Sequence, residues 1–248
     1  MSSSEDISRV KVVGIGASAG GLEALKEMLA GVSVDTERAF IIAQHLSPHH
    51  GSMLVELLGR ETKLRVTEAV DGDTVAPGCV YITPPNRDIE VTGGKIVLFE
   101  PSKEQRPKPS ANRLFTSLAR ELGPEAIGVV LSGTGTDGAL GLADIRDVGG
   151  IAIAQDPTTS KYDGMPRAAI ESGGADVVLK PADVGPFLSR LSSGQNWPAH
   201  EPATASVMDA IIAMAHKETG LDFSQYKRTT LMRRVRRRMS ICRVDTEE

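Results

Sequence analysis

Apolar residues recur along the chain in two alternating rhythms. Short runs of β-branched and aliphatic residues alternate with stretches in which leucine-like residues return every three or four positions. The first kind reads as buried strands and the second as helices packed on one face. Strands are predicted at residues 10–15 (VKVVGI), 38–44 (RAFIIAQ), 64–68, 79–82 (CVYI), 126–131 (AIGVVL), 150–155 and 175–179. Helices are predicted with Leu22, Leu25 and Leu29 on one face, around Met53, Leu54, Leu57 and Leu58, and from an N-capping Ser110 through Leu114, Leu118 and Leu122. Three more follow, carrying Leu140, Ile145 and Val148, then over 166–172, then over 183–191. Such alternation predicts an α/β fold, a doubly wound and mostly parallel sheet with helices on both faces. Residues 87–92 and 95–99, joined by Gly93-Gly94, predict an antiparallel hairpin at its edge.

Beyond the last of these helices the rhythm changes. Residues 194–203 are polar and Pro-containing, the composition of a linker. Val207, Ile211, Met214 and Ala215 mark an amphipathic helix that Gly220 breaks, and Leu231, Val235, Met239 and Cys242 mark one face of a second. The expected division is a disordered tail over 1–9, a catalytic domain over 10–193, the linker, and a short all-α segment over 204–248. Two helices bury too little surface to stand alone, so that segment is expected to be the truncated start of a larger helical unit.

Charge sharpens the division. The 248 residues carry a net charge of −4, yet the stretch from Lys227 to Arg243 holds eight basic residues and no acidic one. Two units with different tasks are therefore expected. An aromatic fraction of 4% disfavours base-stacking platforms and hence nucleic acid as a partner. No run of eighteen apolar residues is present, which argues against membrane insertion, and MSSSEDISR lacks the apolar segment of a signal peptide. Cys79 and Cys242 have no metal-type spacing, so neither disulfide nor zinc is expected, and the compartment is expected to be the cytoplasm.

The densest chemistry lies in residues 10–29. Gly14, Gly16, Gly20 and Gly21 punctuate a sharp turn between the first strand and the first helix. Ser18 sits in Gly16-Ala17-Ser18-Ala19-Gly20, the G-x-S-x-G arrangement at a strand–turn–helix junction, where a strained turn lifts a nucleophilic hydroxyl over the sheet. The turn alone admits two other readings: a dinucleotide-binding fingerprint, Gly14-x-Gly16-x-x-Ala19, and an ordinary turn. Two further polar residues stand at predicted strand ends, His45 after the second strand and Asp137 in Ser132-Gly133-Thr134-Gly135-Thr136-Asp137-Gly138. A serine needs a histidine to take its proton, and the histidine needs a carboxylate to fix its tautomer and stabilise the imidazolium. Taken singly, Asp137 reads as a helix N-cap and His45 as a loop histidine, with His49 and His50 as alternatives. Histidine where a dinucleotide fold wants a ribose-binding acid weighs against that second reading. The order Ser, His, Asp also differs from that of α/β-hydrolases.

Residues 12–180 resemble the catalytic domain of the chemotaxis receptor methylesterases, the CheB type. The pieces that carry the resemblance are GIGASAGGLEAL, AQHLSP, EAVDGDTVAPGCVYITPPN, VVLSGTGTDGALG, GGIAIAQDP and GMPRAAIESGGAD. The resemblance implies a metal-free hydrolase without a cofactor, acting on glutamate γ-methyl esters of chemoreceptor helices, with glutamine deamidation as a second reaction. It implies Ser18 as nucleophile, His45 as base and Asp137 as orienting acid. Backbone donors near Ala19, Gly133, Thr134 and Gly135 are the expected oxyanion site. Two positions depart from the family pattern: Ala19, where Thr is frequent, and Thr134, where Met is frequent. About ten residues precede the first strand, so gating through an N-terminal receiver domain is not expected of this polypeptide. The stretch GLDFSQYKRTTLMRRVRRRMS is similar to the N-terminal helical region of the chemotaxis receptor methyltransferases, the CheR type. It implies a methylesterase–methyltransferase fusion, with the missing methyltransferase portion as a partner. Arg233, Arg234, Arg236, Arg237 and Arg238 lie largely opposite the Leu231-Val235-Met239 seam and are expected to meet an acidic receptor helix.

Overall fold

The computed structural model describes residues 10–45, 51–100, 109–192 and 205–220, together with Leu231 and Val235. Two compact units result, Met1–Ser192 and Ser193–Glu248. The first contains a seven-stranded sheet built from β1 (Lys11–Ala17), β2 (Arg38–Gln44), β3 (Arg65–Glu68), β4 (Cys79–Ile82), β7 (Ile127–Val130), β8 (Ile151–Gln155) and β9 (Val177–Leu179). Their order is β3-β4-β2-β1-β7-β8-β9, and every neighbouring pair is parallel. The central strands are buried on both faces, which is why they read as unbroken apolar runs rather than alternating ones.

Six helices cover the sheet: α1 (Gly21–Ala30), α2 (Gly51–Gly59), α3 (Ala111–Leu122), α4 (Ala139–Asp147), α5 (Gly164–Glu171) and α6 (Pro181–Ser192). Alternate strand residues divide between two layers. Val12, Ala39, Ile41, Ala43 and Val130 join Leu114, Phe115, Leu118, Leu142 and Ile145 in one core. On the predicted α4 face only Ile145 is buried; Leu140 is 72% exposed and Val148 caps the helix end, because Leu142 takes the inward position instead.

Two glycines have a reason other than the one their sequence suggests. Gly14 and Gly16 lie inside β1 and make no turn. A Cβ on Gly14 would stand 2.6 Å from Leu118 Cδ1, and one on Gly16 would stand 2.6 Å from Ala111 Cβ. They let α3 seat directly on the central strand. The turn itself begins only at Ser18, and Gly20 alone of the four needs a left-handed conformation, at φ 72°.

The antiparallel hairpin is present as β5 (Asp88–Thr92) and β6 (Lys95–Phe99). It forms a separate two-stranded sheet rather than the edge of the main one. Its partner is α3. Val91 N–H donates to Ser117 Oγ, Arg113 pairs with Glu90, and Ser110 N–H donates to Asp88 Oδ1. In the second unit, α7 (Ala205–Thr219) ends at Gly220 with φ 71°, a left-handed stop that glycine adopts without strain. Residues 1–9 and 194–203, expected as tail and linker, lie outside the described residues.

Candidate active site

Strand order creates a crevice at one place. From β1 the chain moves to β2, β3 and β4 on one side, then returns to β7 on the other. Loops leaving the carboxyl ends of β1 and β7 therefore diverge, and ligands of doubly wound sheets bind at such a switch. Ser18 follows β1, Asp137 lies in the loop after β7, and His45 follows β2, the other neighbour of β1.

The turn carrying Ser18 is held from several sides. Its N–H donates to Ser132 O at 3.0 Å, and its carbonyl accepts from Gly21 N–H at 2.9 Å. Ser132 is buried, and its Oγ stands 2.9 Å from the Ala19 carbonyl while accepting from Tyr162 N–H at 3.1 Å. Gly20 opens α1 with no side-chain cap. The Gly21 amide is spent on the Ser18 carbonyl, so the positive end of that helix acts on whatever approaches Ser18 through its dipole.

His45 and Asp137, 92 positions apart, meet directly: His45 Nε2 lies 3.0 Å from Asp137 Oδ2. The Asp137 side chain is buried, 5% exposed, and that of His45 is half-buried, 11% exposed. Asp137 also accepts from Ala111 N–H at 2.6 Å, Asn112 N–H at 3.1 Å and Ser110 Oγ at 3.2 Å. Burial pushes its carboxyl up, but the hydrogen bond from His45 and those from the Ala111 and Asn112 amides outweigh it. The group is held below its ordinary value of 3.8. Asp137 is therefore a helix cap, but of α3 rather than of the helix that follows it. The exchange is mutual, since Asn112 Oδ1 accepts from Gly138 N–H at 3.0 Å and Gly141 N–H at 2.8 Å at the start of α4.

With Nε2 occupied by the acid, Nδ1 is the ring nitrogen left for Ser18. No hydrogen bond joins Ser18 Oγ to the ring, and none joins it to any described residue. Such contacts are commonly long without substrate. The main chains are adjacent nonetheless, because His45 N–H donates to Ala17 O at 3.0 Å.

The expected oxyanion residues separate into two kinds. Gly133 is removed as a donor: its N–H is taken by Tyr162 O at 2.9 Å. Its contribution is space, since a Cβ there would stand 2.8 Å from Ser18 Cβ and 2.2 Å from Met165 Sδ. The Ala19, Thr134 and Gly135 amides meet no acceptor among the described residues, and the Thr134 and Gly135 positions are exposed. Sequence reasoning missed Gln44, Asn112 and Ser132, three buried or half-buried polar residues that organise the site. A polar residue closing a buried apolar run, as Gln44 and Ser132 do, is the signal that could have found them. Among the described residues no group of three or more His, Cys, Asp or Glu side chains could hold a metal ion, and no helix is long and apolar enough to cross a membrane. Arg233, Arg234, Arg236, Arg237 and Arg238 lie outside the described residues, as do His49 and His50.

Comparison with known proteins gives the same domain. The family model of CheB methylesterase matches residues 13–188, and that of the CheR methyltransferase all-alpha domain matches residues 207–247. The chain is 36% identical over 194 residues to a protein-glutamate methylesterase/protein-glutamine glutaminase of Photorhabdus laumondii, covering 76% of this chain and 55% of that one. It is 40% identical over 185 residues to a protein of the same name, numbered 1, in Myxococcus xanthus, covering 73% and 54%. The chain thus spans about half the length of these curated relatives. The crystal structure of the Thermotoga maritima CheB methylesterase catalytic domain superposes with a TM-score of 0.68 at 31% identity, covering 73% of this chain and 98% of that one.

Proposed function

Because this chain belongs to the CheB methylesterase family, we propose that it hydrolyses glutamate γ-methyl esters on chemoreceptor helices. The observation that carries the reading is the 3.0 Å bond between His45 and Asp137, formed beside the turn that presents Ser18. In the proposed reaction Ser18 Oγ attacks the ester carbonyl while its proton passes to His45 Nδ1. Asp137 stabilises the imidazolium and holds the ring with Nε2 inward. The oxyanion is met by free backbone amides, with Ala19 N–H beside the nucleophile as the first donor and Thr134 and Gly135 as the others. Collapse expels methoxide, which takes the His45 proton and leaves as methanol. Water then attacks the acyl-enzyme, giving its proton to His45 and returning Ser18 and a glutamate carboxylate. The same sequence on a glutamine amide releases ammonia, and the names of the relatives support that second reaction.

The proposed setting is cytoplasmic chemotaxis signalling. The match of residues 207–247 to the all-alpha domain of a methyltransferase supports a fusion of opposing activities, and a basic Arg233, Arg234, Arg237 and Arg238 face suits an acidic receptor helix.

The test is methanol release from methylated receptor together with labelling by a small phosphonylating reagent. The modified peptide is expected to contain Ser18, and Ser18→Ala is expected to remove both signals, on the order of a 10⁶-fold loss in turnover, without unfolding the protein. Persisting methanol release in Ser18→Ala would refute the assignment. A second reading, a binding module of the same fold, draws on the absent hydrogen bond between Ser18 Oγ and the His45 ring. A wild-type chain that releases no methanol and resists phosphonylation would select it.

A further inference from the structure

One buried side chain touches both the nucleophile turn and the base without belonging to either. Gln44 ends β2 and is 6% exposed. Its Nε2 lies 2.8 Å from the Ser18 carbonyl oxygen and 3.3 Å from the His45 carbonyl oxygen. Carbonyl oxygens only accept, so the amide nitrogen, with two hydrogens, is the end that must face them. The opposite end, Oε1, is buried and meets no donor among the described residues. Burying an acceptor without a partner is unfavourable, and a methionine or leucine would fill a strand-end core position without it.

The surroundings are shaped to admit this carboxamide. A Cβ on Gly21 would stand 2.6 Å from Gln44 Oε1 and 2.7 Å from Ala17 Cβ. The second glycine of the Gly20-Gly21 pair is thus required by the close approach of Ala17 and Gln44, not by backbone conformation. The parallel ladder between β1 and β2 closes with His45 N–H to Ala17 O. Just past that rung Gln44 Nε2 bonds to both chains, at the Ser18 carbonyl and at the His45 carbonyl.

We propose that Gln44 is a positioning residue that fixes the separation of nucleophile and base by tying the Ser18 carbonyl to the His45 carbonyl. This rests on Ser18 and His45 holding those roles. The hydroxyl must reach His45 Nδ1 from a turn that does not yet hydrogen-bond to it, so the encounter depends on how closely the two main chains are held. A displacement near 1 Å at a reacting group costs about 10²-fold in rate.

Two variants separate positioning from packing. Gln44→Met keeps length and bulk while removing the donor and the unpaired acceptor. Gln44→Glu keeps the shape and turns an oxygen toward the two carbonyls. Phosphonylation by a small reagent, which makes no receptor contacts, is measured beside kcat and KM on methylated receptor and the thermal midpoint. For Gln44→Met, phosphonylation and kcat are expected to fall together by about 10- to 100-fold, with KM and the midpoint unchanged. Gln44→Glu is expected to fall further. Wild-type phosphonylation in either folded variant overturns the proposal. So does loss of the fold in both, which would assign Gln44 to stability alone. Activity persisting in Ser18→Ala would instead sink the nucleophile assignment, so the two failures are distinguishable.

Discussion

Two strand-to-helix turns face each other across the switch point, and they use the same local grammar for opposite ends. Ser18-Ala19-Gly20 after β1 and SGTGTDG after β7 both end on a left-handed glycine, Gly20 at φ 72° and Gly138 at φ 95°, that caps a helix without a side chain of its own. At the first, the amide of Ala19 is left without an acceptor among the described residues. At the second, Asn112 reaches across from α3 to satisfy Gly138 and Gly141, while Asp137 repays α3 by accepting from Ala111 and Asn112. The Ala19 amide is left open to an incoming anion, whereas the amides that begin α4 are closed by the protein itself. The closure gives the site its rigid acid: Asp137 cannot move without uncapping α3.

The largest test of that contrast is Asp137→Asn. An amide presents one acceptor oxygen instead of two and loses the charge that orients the ring. A fall in kcat of about 10⁴-fold is expected, the usual consequence of that change in a serine triad. Stability should respond with a definite sign. Because the folded carboxylate is held below its ordinary value of 3.8, the folded state binds that proton less tightly than the unfolded chain. The stabilisation is complete above the ordinary value and is lost as pH falls through the lower folded one. Denaturant melts should show the wild type ahead of Asp137→Asn at neutral pH, with the gap narrowing only on acidification below the ordinary value. A gap independent of pH would break the proposed closure by Asp137.

A smaller effect is expected at the point where the two turns touch. Gly133→Ala places a methyl 2.8 Å from Ser18 Cβ and 2.2 Å from Met165 Sδ. Met165 is flexible but buried, so the Ser18 turn must shift. Phosphonylation is expected to slow by about 10²-fold, far beyond any change in KM. Unchanged labelling would show that the open turn does not depend on its neighbour.

The smallest effect is at the crossed cap. Asn112→Ala leaves the Gly138 and Gly141 amides without their acceptor but keeps the Asn112 N–H to Asp137. A loss of about 1 kcal/mol in unfolding free energy is expected, typical of a removed N-cap, with activity reduced by only a few fold. A loss of activity as deep as that of Asp137→Asn would mean that the two caps act as one unit.

Much of this was legible in the residue pattern, for physical reasons that differ from place to place. β2 and β8 are buried on both sides, so residues 39–43 and 151–154 are apolar without a break and cannot be mistaken for surface strands. The hairpin was legible because Gly93-Gly94 forces a reversal, with φ of 58° and 72°. Its placement was not, because nothing in its own residues says that Asp88, Glu90 and Val91 bind α3 rather than an edge strand. The reading of Gly14 and Gly16 as turn residues failed for a related reason: in β1 a glycine marks close helix approach, and only the neighbouring helix reveals it.

Hydrophobic period and turn chemistry are local, so the residue pattern already settles which residues form strands and helices, that the sheet is parallel, and that Ser18, His45 and Asp137 stand at strand ends. Tertiary structure alone decided which of those ends are neighbours. It set β7 against β1 so that His45 could meet Asp137, gave Asp137 to the wrong helix by local rules and the right one by space, spent the Gly133 amide on Tyr162, and aimed Gln44 at two carbonyls. All of those but the bond from Gln44 to its neighbour His45 join residues far apart in sequence, and the partner's position is fixed by how the layers pack rather than by any spacing along the chain.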